Sequence, residues 1–317
     1  MLNQESKRKL TKLLKGEFSL LIILILLSLI ISIVSPYFLK VANILNIVRQ
    51  VSVDLIVALG MTCVILTGEI DLSVGSIAAL GGVISSIVLH STGNGFLAVS
   101  AGILSGIVFG FINGYLVVKM QIQSFIVTLA TMSIARGLAL VITGGYPVSN
   151  LPDSFGIVGS GYLGVIPIIT IISIAMFFIF FYWLQFTKHG LHIKAIGANK
   201  MAARLSAIKV DYYKILVFVI CGALSSIGGI LIVSRLLSGQ PTAAENLNMD
   251  VISAVILGGT SLAGGQGTVV GTLFGAFILG VINNGLNLLN VSSFYQQIVK
   301  GLIILIAVLT KSKKNNG

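Results

Sequence analysis

Charge is what this sequence most lacks. Only 9% of its 317 residues are charged, against about 25% in a soluble globular chain. With 56% hydrophobic residues and a mean hydropathy of +1.05, too few charges remain to cover a soluble surface, which excludes a soluble enzyme. Acids are the scarcer sign: nine Asp+Glu against 20 Lys+Arg, a formal net charge of +11. In a soluble protein such an excess points to nucleic acid. Here it is tested first as topology, because membrane proteins keep Lys and Arg on the cytoplasmic side. Cysteine is nearly missing too. Cys63 and Cys221 lie in apolar runs, so no disulfide framework is implied and both read as small buried hydrophobes. Of the three histidines, His189 and His192 are three apart with no third ligand nearby, so no metal site is expected.

Catalytic motifs are absent as well. Gly259 to Gly264 has the spacing of a phosphate-binding loop, but Gly265-Gln266 stands where Lys and Ser/Thr are required. The chain is therefore not an ATPase by that route. Gly265-Gln266-Gly267 imitates a dinucleotide fingerprint, yet no βαβ unit surrounds it. Neither HExxH nor GxSxG occurs. The acids form no intramembrane chain of the kind proton-coupled pumps use. No catalytic residue, cofactor or nucleic-acid partner is assigned to this chain.

What the sequence does have is apolar runs long enough to cross a bilayer, which takes about 20 residues. Ten spans are predicted: Phe18–Val34, Val51–Thr67, Val74–Leu89, Phe96–Val118, Ile122–Ile142, Tyr162–Leu184, Ile215–Ser234, Val251–Thr260, Thr268–Leu289 and Phe294–Leu309. The fold class expected is an all-α membrane protein of about ten transmembrane helices, some short or broken. The first run follows a basic start but exceeds a signal-peptide core and ends in Ser-Pro-Tyr-Phe, so it reads as an uncleaved helix. With the N-terminus inside, fifteen of the 20 cations fall on the inner side. They lie in the N-terminal tail, at Lys119, in the 185–214 loop and in the C-terminal tail. Lys40, Arg49 and Arg235 fall outside, and Arg136 and Lys300 fall within spans. Two basic tails require an even number of crossings. The short eighth span must then cross, continued as a broken helix by the Gly-rich stretch Leu262–Gly267. The domain reading is one membrane domain over 1–317, with tails 1–17 and 311–317 and the 185–214 loop cytoplasmic.

Glycine is enriched, 36 residues or about 11% against a usual level of about 7%. Gly102, Gly106, Gly110 and Gly114 repeat every four residues on one helix face, and Gly267, Gly271 and Gly275 form a shorter copy; both permit close helix approach. Val64 to Gly68 is echoed by Val255 to Gly259, each before a break, and matching interruptions in two halves point to a transport site.

The polar residues between and within these runs carry the chemistry. Glu69, Asp71 and Ser73 sit between two apolar runs with almost no loop. Asp71 or Ser73 can cap the helix beginning near Val74, or the group can line a wet pathway, because charge at the bilayer centre costs about 2.5–3.5 kcal/mol. Asn283, Asn284 and Asn287 lie inside a span, where amides either join helices or meet hydroxyl-rich solutes. Asn199 can cap a short amphipathic helix, Lys200 to Leu205, in the basic loop, which lies on the membrane or docks on a partner. The 235–250 loop, RLLSGQPTAAENLNMD, is placed outside, where it meets an extracytoplasmic partner or simply connects helices.

Several stretches resemble the permease subunits of bacterial monosaccharide ABC importers, those for ribose most closely. They are ILTGEIDLSVGSIAAL, FIVTLATMSIARGLALVITGG, IGANKMAARLSAI, RLLSGQPTA, DVISAVILGGTSLAGGQGTVVGTLFGAFILG and NNGLNLLNVSSFYQQIVKGLIILIAVL, spread from about Leu45 to the C-terminus. The resemblance implies a cobalamin-importer-like (type II) permease in a bacterial plasma membrane, both termini cytoplasmic. It implies a second copy of the permease, a separate ABC ATPase that uses ATP and Mg, and an extracytoplasmic sugar-binding protein. Gly197, Asn199, Ala202, Ala203, Arg204, Leu205 and Ser206 match the family's coupling segment. Arg235, Gln240, Pro241, Thr242 and Asp250 are assigned to the binding-protein side. Glu69, Asp71, Ser73, Asn283, Asn284 and Asn287 are assigned to the substrate pathway. Three departures stand out: Glu69 where relatives commonly have Gly or a small residue, Asn248 where they have Glu, and Ala207 where they have Gly. The rival expectation is an ion-coupled secondary transporter with a midplane site.

Overall fold

The computed structural model describes residues 17–315. The cations assigned to the N-terminal tail (Lys7, Arg8, Lys9, Lys12, Lys15) lie outside the described residues, as do the side chains of Lys311, Lys313 and Lys314. The helices are α1 (Glu17–Val34), α2 (Val41–Leu66), α3 (Val74–Thr92), α4 (Gly95–Lys119), α5 (Ser124–Thr143), α6 (Asp153–Ser160) and α7 (Ile168–Phe186). They continue with α8 (Lys188–Ala198), α9 (Lys200–Leu205), α10 (Val210–Leu236), α11 (Leu247–Leu257), α12 (Val269–Leu288) and α13 (Ser293–Asn315). A two-residue hairpin, β1 (Tyr162–Leu163) with β2 (Ile166–Pro167), precedes α7. Eight described helices are long and apolar enough to cross a membrane, and the chain is an all-α, multi-pass membrane protein.

Helix α2 is the spine. From Val51 to Leu66 every residue but Asp54 is buried, against α10, α12, α7 and α11. A second layer joins α3, α4 and α10, and here the glycine ladder does what its spacing predicts. A Cβ on Gly106 would collide with the carbonyl of Gly222, and one on Gly110 with that of Phe218. Without side chains between them, α4 and α10 pack backbone on backbone, the arrangement that holds helices together where lipid removes the hydrophobic drive. In the shorter copy only Gly271 and Gly275 are helical, packing on Gly258, which ends α11, and on Ala254 within it; Gly267 precedes the helix.

Several boundaries differ from the sequence expectation. Helix α2 starts at Val41, ten residues early, so that Arg49 lies on the helix, its guanidinium 4.5 Å from the centroid of the Tyr162 ring, while Lys40 stands just before it, 4.3 Å from the centroid of the Tyr37 ring. The sixth span starts at Ile168 instead of Tyr162, since Pro167, with φ −61°, closes the hairpin and fits a helix start. Helix α13 runs on past Leu309 to Asn315.

The eighth crossing is broken on the other side from the one expected. Residues 258–268 form a turn at the end of the bundle that holds α9, where Gly265 N–H donates to Leu66 O at 2.9 Å. The irregular half is Leu237 to Asn246, which runs down beside α3. Gly239 sits against Ser86 and Ala244 against Gly75, eleven residues apart on α3, or about 16 Å at 1.5 Å per residue. The crossing is thus a re-entrant strap followed by the short helix α11.

The sequence echo has a structural counterpart. Gly68 N–H donates to Ile65 O and Glu69 N–H to Val64 O, while Gly259 N–H donates to Ile256 O and Thr260 N–H to Val255 O. Both helices therefore end on the same glycine-terminated motif, with Gly68 at φ 79° and Gly259 at φ 91°, conformations that cost glycine little. The two breaks meet: Gly264 packs on the backbone of Gly68.

Candidate transport site and coupling surface

Two cations inside the bundle fasten the strap and the short helix after it. Arg136 is seven residues short of Thr143 at the end of α5, about 10 Å inward at 1.5 Å per residue. Its Nη1 donates to Pro241 O at 2.6 Å and Ala243 O at 2.8 Å, and Glu245 lies within its electrostatic reach. Lys300 of α13 pairs with Asp250 in the first turn of α11, at 2.7 Å to Oδ1. Irregular backbone at membrane depth must have its polar groups satisfied by protein or water. Arg136 supplies donors where no helix or sheet ladder can. One turn deeper, Asn248 is buried, approaches Met132 of α5 and accepts at its Oδ1 from Met249 N.

These positions correct the assignment of the 235–250 segment to an outer surface loop. Arg235 is exposed at the end of α10, but Pro241 is buried, Gln240 is half-buried, and Asp250 is engaged with Lys300. Thr242 alone of the strap's assigned residues is exposed, level with the Arg136 bonds. The physical reason is that Arg136, 105 residues from Pro241 in sequence, and Lys300, 50 residues from Asp250, hold the connection and the helix after it in the bundle. Asp54 escaped the sequence reading altogether. It is half-buried on α2, within electrostatic reach of Asp250, Lys300 and Arg235. A single acid inside the run Val51–Thr67 was the signal that could have found it.

Around the α2–α3 break, Asp71 and Ser73 are completely buried. Asp71 Oδ1 accepts from Ser73 N at 2.9 Å and from Ser73 Oγ at 2.5 Å, and Asn113 Nδ2 donates to Ser73 Oγ at 2.9 Å. Ser73 occupies the N-cap position without capping through its side chain. Asp71 therefore closes the turn into α3 through the Ser73 N–H, and α4 is tied to it by Asn113. Glu69, by contrast, faces the α9 end and forms an ion pair with Lys214 of α10, both largely shielded. The partner lies 145 residues away in sequence.

The three asparagines of α12 do not converge on one point. Asn284 and Asn43 exchange amide hydrogen bonds at 2.8 and 2.9 Å, joining α12 to the start of α2. Asn287 Oδ1 accepts from Gln296 Nε2 at 2.8 Å, joining α12 to α13. Asn283 is buried.

At the α9 end, Asn199 Oδ1 accepts from Ala202 N at 3.0 Å, the N-cap read from sequence. Gly197 lies so close under Leu66 O and Gly265 N that any side chain there would collide with both, so α8 is pressed directly onto the two breaks. Ala203 is buried, 3% exposed, while Ala202, Arg204 and Ser206 are exposed. Met201 and Leu205 stand out at 66% and 83%. Ala207 takes φ 59°, a left-handed conformation that glycine adopts at less cost. Asp211 joins this end together, 3.3 Å from Arg204 and 3.5 Å from Lys119. A cleft of about 410 Å³ opens here among Glu69, Gln121, Lys200, Arg204 and Lys214. Partial burial, with repulsion from Lys214 and Arg204, lowers the Lys200 ammonium below the usual lysine value. His189 and His192 both turn Nδ1 to Tyr213 Oη, at 3.1 and 2.8 Å.

The arrangement is a helix bundle whose two breaks meet under α8 at one end and whose strap is anchored by Arg136. No solved structure matches the chain. It is 47% identical over 312 residues to the ribose import permease protein RbsC of Escherichia coli (strain K12), covering 97% of each chain. Identity to the ribose import permease protein RbsC of Bacillus subtilis (strain 168) is 48% over 294 residues, 92% of this chain and 91% of that one. With the L-arabinose transport system permease protein AraH of Escherichia coli (strain K12) it is 38% over 293 residues, 92% and 89% of the two chains. Residues 43–308 match the profile of the branched-chain amino acid transport system / permease component family, and the chain belongs to that family.

Proposed function

We propose that this chain is the permease subunit of an ATP-driven importer for ribose. The observation that carries the reading is the likeness to ribose import permeases, which extends over 97% of the chain. The α9 tip supports a coupling role. Its buried Ala203 seats the helix, while exposed Met201 and Leu205 offer apolar anchors to a separate ABC ATPase, which supplies ATP and Mg chemistry. Movement at α9 would reach both breaks through Gly197, which touches Leu66 and Gly265. The ligand pathway then changes packing between two states, driven by the ATPase's differential contacts with α9 in each.

In this reading the α9 end is cytoplasmic, both termini are cytoplasmic, and the protein sits in a bacterial plasma membrane as one membrane domain over 1–317. The excess of Lys and Arg at that end supports the orientation. A sugar-binding protein delivers substrate at the opposite end, near Arg235, and a second copy of the chain completes the pathway. The test is uptake of labelled ribose by the complex of permease, ATPase and binding protein in proteoliposomes. ATP-dependent accumulation is expected. Ribose uptake by the chain alone under an ion gradient would replace this reading with a secondary transporter.

A further inference from the structure

Three side chains of the strap point outward from the protomer with nothing bonded to them. Thr242, Glu245 and Asn246 are all exposed. Among the described residues, none donates or accepts a side-chain hydrogen bond, and Asn246 sits at the N-cap of α11 without using its amide as a cap. Yet they lie between the level of Arg136, about 10 Å inside the end of α5, and that of Asn248 beside Met132. A carboxylate, an amide and a hydroxyl at that depth cannot face hydrocarbon, where each unsatisfied polar group costs several kcal/mol. An ionisable residue inside a membrane marks a pathway or a binding site. The strap backbone beside them has the irregular form tolerated at depth only where it is enclosed or lines a cavity.

The chemistry of the trio selects the ligand. Glu245 offers acceptors, Asn246 one acceptor and two donors, and Thr242 a hydroxyl that does both. Arg136, bonded to the strap backbone at Pro241 and Ala243, lies within electrostatic reach of Glu245, so both signs of charge stand at this face and neither favours an ion. We propose that Thr242, Glu245 and Asn246 form the station at which this chain contacts its solute within the membrane, and that the ligand is a neutral polyol read through its hydroxyls. The assignment rests on the permease reading above and adds to it the residues that would read the solute.

Two features make the test clean. The native Cys63 and Cys221 are fully buried, so new cysteines are labelled over a low background. Phe178, an exposed apolar side chain of α7, serves as the control. Thr242→Cys and Asn246→Cys in the full complex are treated with a charged, water-soluble thiol reagent, alongside Phe178→Cys. The two strap cysteines should react in at least one nucleotide state and be slowed by saturating ribose, and the control should stay inert. Glu245→Gln replaces a charged acceptor by a neutral one, and the ratio of ATP hydrolysed to ribose imported should rise about tenfold. A purely structural role would lower hydrolysis and import together and leave the ratio alone. Strap cysteines inert in every state, or an unchanged ratio in Glu245→Gln, overturns the assignment and leaves the strap as a contact between protein surfaces. Absence of ribose uptake by the unmodified complex would instead sink the permease reading.

Discussion

Arg136→Met removes both hydrogen bonds that hold the strap, and its cost can be worked from the geometry. Nη1 donates to Pro241 O and Ala243 O at 2.6 and 2.8 Å. A hydrogen bond to a charged group contributes about 1.5–3 kcal/mol, so the pair is worth about 3–6 kcal/mol. The same change leaves Glu245 without its counter-charge, which adds to the loss of function more than of stability because Glu245 is exposed. Arg136→Lys keeps the charge but not the fork of donors. It should recover roughly half the loss, about 1.5–3 kcal/mol. The assay is equilibrium unfolding of the purified chain in mixed micelles, with Phe178→Ala as a control. The order of stability expected is wild type, then Lys, then Met, with uptake following the same order. If the Met variant unfolds within about 0.5 kcal/mol of wild type, the bonds do not hold the strap.

Other consequences concern the two ends of the bundle. Lys214→Met should destabilise the chain by up to about 3–5 kcal/mol by leaving Glu69 shielded and unpaired, and adding Glu69→Gln should restore most of it. A double-mutant cycle reads the coupling; additive losses would show that the pair is not a unit. At the α9 tip, Leu205→Asp should uncouple ATP hydrolysis from uptake while the permease still assembles in the membrane. Ala203→Asp, being 3% exposed, should instead unseat the helix and lower stability, and equal behaviour of the two variants would refute the division between anchor and seat. Asn43→Ala and Asn284→Ala should each lose about 0.6–2 kcal/mol, and the double variant little more than either; full additivity would mean that the amide exchange does not hold α2 to α12.

Much of this was legible in the chain. Period and length placed most helices to within a few residues, since an apolar run of about 20 residues has few alternatives in a bilayer. The glycine ladder announced a close helix contact, and Asn199 announced its helix start. The start of α2 is hidden in the sequence, because Arg49 looks like a loop residue until Tyr162 is beneath it. The strap was misplaced for a similar reason. RLLSGQPTAAENLNMD is polar enough to be a surface loop, and only Arg136 and Lys300, on other helices, make it tolerable inside.

By itself, the sequence determined that this protein crosses a membrane many times, which of its ends gathers the cations, and to which kind of permease it is similar. Those conclusions follow from composition and local pattern, where hydrocarbon allows little but helix. Tertiary structure alone decided what the scarce charges do. Glu69 meets Lys214, Arg136 meets two strap carbonyls, Asp250 meets Lys300, and Asp71 turns in on Ser73. A buried charge must find its partner wherever packing brings one, and for the first three that partner comes from a distant part of the chain, which no local pattern reveals.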